Sequence, residues 1–335
     1  MTSSAAPLLQ VKDPVHEFHT AAGTVHAVSG VSFDVRAGET LGIVGETGSG
    51  KSTLARSIVQ APRPTSGAVV FRGADLVTLR GTRLLQARRH LQMVFQDPFG
   101  SLDPKWRVRD LVEEPLVAYQ TGDRTARRRR VGEVLELVGL AGYSTRRPRE
   151  LSGGQAQRVA IARAVALNPA LIICDEAVSS LDVLIQAQVL NLFERLRAEL
   201  GLSYLFIAHD LALVKQVSDR VAVMYLGKLC EVGPGEEVYR QPLHPYTKAL
   251  LDSIPGTATA GAAMTTIRGE PPSPVHPPSG CRFRTRCPRA EQRCADEEPA
   301  MRELPAGHSV ACHFPLVPAA DSPARSEEKI GENPR

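Results

Sequence analysis

No uncharged apolar run in the 335-residue sequence approaches the roughly 20 residues that a membrane-spanning helix requires. The longest candidates, residues 164–174 and 254–267, are too short, and the second is mostly Gly, Ala and Thr. The opening stretch MTSSAAPLLQVKD lacks a basic region followed by an apolar one, so no signal peptide is read and a cytoplasmic chain is expected. A charge excess is also missing. The 40 Lys and Arg against 36 Asp and Glu leave a net +4, which by itself does not argue for nucleic acid. No internal repeat is found. Cysteine is scarce, six in all, and in a reducing compartment disulfides explain them poorly. What remains, 43% hydrophobic and 23% charged residues, is the composition of a globular protein able to bury a sizeable core.

Short apolar runs alternate with helical patterns. Strand character is predicted at 8–11, 31–35, 40–44, 91–95, 171–174 and 204–208, with a hairpin of 221–225 and 228–232 around Leu226–Gly227. Helices are predicted at 51–60, 108–118, 126–140 and 183–200. All-apolar strands between helices imply an α/β fold with a parallel sheet covered on both faces. A helical insertion is expected over about 97–166. Residues 8–255 form the expected main domain, 256–316 a C-terminal extension that begins as a Gly/Ala/Thr/Pro linker, and 317–335 a disordered tail.

Two stretches carry chemistry. Gly45-Glu46-Thr47-Gly48-Ser49-Gly50-Lys51-Ser52, followed by Thr53, fits G-x-x-x-x-G-K-[ST] between a strand and a helix. Glycines let successive N–H groups point at phosphates, Lys51 reaches the β- and γ-phosphates, and the Ser52 hydroxyl can bind Mg²⁺. The apolar strand at 171–174 ends in Asp175 and Glu176. Asp175 is then a Mg²⁺ ligand, directly or through water, and Glu176 a group that polarises the attacking water.

Leu151-Ser152-Gly153-Gly154-Gln155 resembles the signature of ATP-binding cassette proteins. The order of motifs is similar too: phosphate loop, Gln96 in VFQDP, LSGGQ, Asp175–Glu176, then His209 in IAHD. The resemblance implies a P-loop core of that type, with an antiparallel β subdomain and the helical insertion. It implies that Gln96 touches Mg²⁺ and the attacking water, and that His209 contacts the γ-phosphate. It implies that Ser152, Gly153, Gly154 and Gln155 bind the γ-phosphate of ATP held by an opposite subunit, that Asp182 lies in the loop crossing the dimer interface, and that Phe18 stacks on adenine. Ala177 stands where the family usually has proline, which puts the rigidity of that loop in question.

Segments such as QMVFQDPFGSLDP, SSLDVLIQAQVLNL, HPYTKALLDSIP and PPSGCRFRTRCP are similar to ATPase subunits of bacterial oligopeptide and dipeptide importers, closest to the second ATPase of the pair. The likeness implies ATP hydrolysis coupled to transport at the cytoplasmic face of the membrane. Its partners would be a homologous ATPase, two permease subunits docking near residues 97–120 and, indirectly, an extracytoplasmic substrate-binding protein. Import of nickel or another solute, or a non-transport soluble cassette ATPase, stays open.

Cys281, Cys287, Cys294 and Cys312 are spaced C-x5-C-x6-C-x17-C, without the tight C-x2-4-C pairs common at zinc sites. Four thiolates suit an iron–sulfur cluster or a zinc ion, or the site holds no metal. Related importer ATPases with this pattern resemble [4Fe-4S] binders. Cys174 and Cys230 are expected to be packing residues. The run Arg127–Arg130 is read as a solvated helix face, with attraction to anionic lipid as the alternative.

Overall fold

A computed structural model describes residues 6–254 and 269–316. The expected tail at 317–335 and most of the linker at 256–280 lie outside the described residues.

The chain opens with β1 (Leu9–Thr20), β2 (Gly23–Ser29), β3 (Phe33–Val35), β4 (Thr40–Val44), α1 (Lys51–Ile58), β5 (Ser66–Phe71), β6 (Ala74–Asp75), α2 (Gly81–Arg89) and β7 (Leu91–Val94). The insertion follows as α3 (Pro98–Ser101), α4 (Val108–Ala118), α5 (Arg124–Leu137) and α6 (Gly153–Val165). Then come β8 (Leu171–Asp175), α7 (Val183–Leu200), β9 (Ser203–Ala208), α8 (Leu211–Val217), β10 (Arg220–Tyr225), β11 (Lys228–Pro234), α9 (Gly235–Arg240) and α10 (Pro245–Asp252). The last described elements are α11 (Arg293–Asp296), β12 (Arg302–Leu304) and β13 (His308–Val310).

These strands make two sheets. The smaller is antiparallel, in the order β2-β1-β5-β6 with β3 also paired to β1. The larger runs β12-β13-β11-β10-β4-β9-β8-β7 and is parallel from β10 to β7. Period-two alternation separates its two faces. Leu41, Ile43, Leu171 and Ile173 face the core shared with the small sheet and α1, where they join Leu9, Val11, Leu54 and Ile58. Val44, Ile172 and Cys174 face the helical side with α6, α7 and α8. A Cβ on Gly42 would stand 2.2 Å from Val214 Cγ1, so glycine lets α8 lie directly on β4.

The predicted boundaries at 40–44, 108–118 and 183–200 coincide with the observed ones. The antiparallel sheet is longer than the apolar runs suggested, because β2 and much of β1 and β5 carry polar, half-exposed residues. The basic run is more than a solvated face. Arg127 pairs with Glu113 of α4 at 3.2 Å, and Arg130 donates to the Val165 carbonyl at 3.0 Å, so both tie α5 to the rest of the insertion. The C-terminal extension continues the main sheet, since β13 pairs with β11.

Candidate functional site

Strand order brings the motifs to one edge. β7, β8, β9 and β4 are parallel neighbours, with Val94 opposite Cys174, Asp175 opposite Ile207, and Val44 opposite Ala208. Their carboxyl ends therefore deliver Gln96, Asp175–Glu176, His209 and the loop at Gly45 to the ligand edge of the sheet.

The loop depends on its glycines. A Cβ on Gly45 would stand 2.0 Å from the Met224 carbonyl oxygen, and one on Gly50 2.0 Å from that of Ala27. Gly50 has φ 103° and precedes α1. Thr47 and Gly48 are exposed, Ser49 and Lys51 are buried, and Ser52 and Thr53 are half-buried at the start of α1. Lys51 Nζ donates to the carbonyls of Gly45 at 2.7 Å and Glu46 at 2.9 Å. Burial lowers the Lys51 pKa, and the carboxylates of Glu176, Asp175 and Glu46 oppose that.

Ser52 Oγ donates to Asp175 Oδ1 at 2.7 Å. Burial raises the Asp175 pKa, against the Ser52 hydrogen bond that lowers it. Glu176 has φ 50°, left-handed backbone that costs a non-glycine residue about 1–2 kcal/mol. Its N–H donates to the Ile207 carbonyl at 2.9 Å, and its own carbonyl accepts from Ser179 Oγ at 2.9 Å. The turn is thus hydrogen-bonded although Ala177, fully buried, replaces proline. The Glu176 carboxylate lies 3.5 Å from His209 Nδ1. Gln96 is exposed, and its carbonyl meets Ser180 Oγ at 3.5 Å.

The signature begins a helix. Ser152 caps α6: its Oγ accepts from Gln155 N at 3.3 Å, and Gln155 Oε1 accepts from Ser152 N at 3.0 Å. Gly154 is buried against α7, and a Cβ there would stand 2.5 Å from Ile185 Cγ2. Asp182 caps α7 by accepting from Ile185 N at 3.0 Å. Beyond it Val183 and Leu184 are 78% and 77% exposed, an apolar surface beside the signature. Phe18, also exposed, sits in β1 opposite Val25 of β2, and β2 reaches the phosphate loop at Ala27.

Cys281, Cys287, Cys294 and Cys312 line one cavity. Burial pushes the Cys281 and Cys312 thiols up to about 11 and raises Cys287, and neighbouring cysteines add to each shift. Among the described residues no group of three or more His, Cys, Asp or Glu is placed to hold a metal ion. Cys174 is a fully buried strand residue, and Cys230 is buried in β11 close to Cys281 and Cys312.

Two residues absent from the motif reading also touch the phosphate loop. Arg286 reaches the Glu46 carboxylate at 2.7 and 3.1 Å, and Tyr246 Oη accepts from Glu46 N at 2.9 Å. They lie 240 and 200 residues further along the chain, inside the segments PPSGCRFRTRCP and HPYTKALLDSIP, where nothing local points to a contact with Glu46.

The phosphate loop, the acid pair and the capped signature helix on this sheet define a cassette ATPase. The profile described as ABC transporter matches residues 28–179, and that of the oligopeptide/dipeptide transporter C-terminal region matches 230–294. Putative oligopeptide transport ATP-binding protein YkfD of Bacillus subtilis (strain 168) is 49% identical over 316 residues, spanning 92% of this chain and 95% of that protein. Oligopeptide transport ATP-binding protein AppF of the same strain is 49% identical over 302 residues, spanning 89% and 92%. Among solved structures, the dimeric post-hydrolysis state of the ATP-binding cassette MJ0796 bound to ADP and Pi aligns at TM-score 0.62 with 29% identity, covering 68% of this chain and 98% of that one. The chain belongs to the ABC transporter family of ATPases, in the branch that carries the oligopeptide/dipeptide transporter C-terminal region.

Proposed function

We propose that this ATPase drives peptide import across the cytoplasmic membrane, working at its inner face through partner permeases. The observation that carries hydrolysis is the Glu176 carboxylate, 3.5 Å from His209 and next in sequence to the Asp175–Ser52 pair at the same sheet edge, and peptide as the cargo is supported by the match of residues 230–294 to the oligopeptide/dipeptide transporter C-terminal region. Loop N–H groups and Lys51 hold the β- and γ-phosphates, and Phe18 stacks on the adenine. Asp175 and Ser52 fit a Mg²⁺ ion: a buried carboxylate oxygen and a hydroxyl oxygen are hard donors side by side. Mg²⁺ held by these two residues would supply positive charge against the phosphates. Glu176 orients and polarises a water for attack on the γ-phosphorus, with Gln96 beside it. The bond from the γ-phosphorus to the bridging oxygen breaks, leaving ADP and phosphate, while His209 steadies the γ-phosphate oxygens.

The site is half of a pair. Ser152, Gly153, Gly154 and Gln155 offer N–H groups at the start of a helix to the γ-phosphate held by a second, homologous cassette. Asp182, with the exposed Val183 and Leu184 beside it, faces that partner. ATP contacts both subunits only when the pair is closed, so binding favours closure and hydrolysis releases it.

Two permeases dock on the insertion, where Phe99, Trp106 and Val117 are exposed and where Ser101, Glu114 and Tyr119 help line a cavity of about 290 Å³. An extracytoplasmic binding protein supplies the peptide. The four-cysteine cavity is assigned to a [4Fe-4S] cluster in preference to zinc. Raised thiol pKa values mean that thiolates there would need a positive group among them, and the C-x5-C-x6-C-x17-C spacing, without tight C-x2-4-C pairs, favours a cluster over zinc.

The test is phosphate release by wild type and Glu176→Gln in the presence of the partner ATPase. Loss of hydrolysis with retained ATP binding supports the reading. Equal rates overturn the role of Glu176, and co-purification that recovers no permease overturns the transport assignment.

A further inference from the structure

Glu46, the first variable residue of the phosphate loop, is held at three points. Its carbonyl accepts from Lys51 Nζ at 2.9 Å, within the loop itself. The other two partners come from the far end of the chain. Its N–H donates to Tyr246 Oη of α10 at 2.9 Å, and its carboxylate takes two donors from Arg286, at 2.7 and 3.1 Å. Arg286 immediately precedes Cys287, and its side chain is 6% exposed. Such a two-donor contact fixes orientation as well as distance.

The segment between Cys281 and Cys287 has two further anchors, at Arg282 and Phe283. Phe283, 1% exposed, packs edge-on to Tyr225 with ring centroids 5.3 Å apart and lies 5.2 Å from the Tyr246 ring. Arg282 donates to the Leu226 carbonyl, and the next residue, Gly227, donates its N–H to Ser49 O of the loop at 2.8 Å. The loop that carries two of the four cysteines therefore touches the phosphate loop at Glu46 and, through the β10–β11 turn, at Ser49. Aromatic rings packed between leave little room for one to move without the other.

We infer that Arg286 is a positioning residue for the phosphate loop, and that through it the four-cysteine module and the nucleotide site are energetically coupled. The inference rests on the reading of residues 45–52 as the ATP site. Coupling of this kind is reciprocal: whatever orders the 281–287 segment strengthens nucleotide binding, and nucleotide binding orders that segment.

The experiment uses the full chain as purified, with Mg-ADP as probe. Affinity is measured by fluorescence titration, and hydrogen exchange of residues 281–287 is followed with and without the nucleotide. For wild type, Mg-ADP slows exchange in that segment. Arg286→Ala weakens Mg-ADP binding about tenfold, the size of one lost charge-assisted hydrogen bond, and abolishes the exchange response. Arg286→Lys restores part of both. Thermal unfolding accompanies each variant. If Arg286→Ala is unfolded at the assay temperature, Glu46→Gln removes the same ion pair from the other side and gives the same two changes. A folded Arg286→Ala or Glu46→Gln with wild-type affinity and wild-type exchange response overturns the inference and leaves the ATP site standing. Wild-type protein that does not bind Mg-ADP overturns both.

Discussion

Ser52 and Asp175, 123 residues apart in sequence, share a 2.7 Å hydrogen bond that joins the first turn of α1 to the end of β8. The bond places a hydroxyl and a carboxylate side by side, the pair proposed to hold a nucleotide-bound cation. Asp175→Asn keeps the size of the side chain and removes its charge. ATP hydrolysis is expected to fall by about 10²-fold or more, and the gain in nucleotide affinity on adding Mg²⁺ to shrink. Titration of a fluorescent nucleotide with and without Mg²⁺ measures the second effect directly.

The Glu176–His209 pair makes a different prediction. On the proposed role of His209, His209→Ala removes a γ-phosphate contact and leaves the phosphate loop intact. Its turnover is expected to fall by about 10²-fold with little change in ADP affinity. Steady-state phosphate release and ADP titration on the same preparation separate the two. A loss of ADP affinity as large as the loss of turnover would place His209 in ground-state binding instead.

Gly154 tests the seat of the signature helix. Ile185 Cγ2 lies only 2.5 Å from where a Cβ on Gly154 would stand. Gly154→Val therefore forces α6 and α7 apart and is expected to cost about 1–3 kcal/mol. Gly153 has Leu181 Cδ2 at 3.5 Å, an ordinary contact, so Gly153→Ala is expected to fold like wild type. Thermal unfolding of the two variants checks the contrast.

His244 makes stability depend on pH. Burial pushes its pKa down to about 4, and its Nδ1 accepts from Tyr246 N at 3.0 Å to cap α10. The unfolded chain protonates this imidazole near pH 6.5, whereas the folded chain resists until about pH 4. Stability is therefore full above the unfolded value and is lost as pH falls from about 6.5 toward 4, by about 3 kcal/mol in all. His244→Asn, which can still cap, is expected to flatten that part of the profile. Urea unfolding midpoints at pH 7 and pH 5 report it.

The proposed cluster predicts colour. Anaerobically purified protein is expected to be brown, with broad absorption at about 400 nm and matching iron and sulfide. Cys287→Ser is expected to lose both. Colourless protein holding one zinc ion per chain would replace the cluster with zinc.

The motifs were legible because each is local. A phosphate loop needs its glycines and Lys51 within eight consecutive residues, and a strand that ends in Asp175–Glu176 carries its acids with it. The apolar β4, and α4 and α7 with their amphipathic periods, were readable to the residue, since burial on a fixed face imposes a period on the sequence. The small antiparallel sheet was read only in part, because its half-exposed strands alternate weakly.

By itself, then, the sequence determined the kind of chemistry and the order of its parts, from the loop at Gly45 to the histidine at 209. Tertiary structure alone decided what surrounds that chemistry. It paired β13 with β11, turned Arg127 and Arg130 into ties within the insertion, and set Arg286 against Glu46. Contacts between residues 240 apart leave no period or spacing in the sequence, because they arise from how finished elements pack and not from the chain's local conformation.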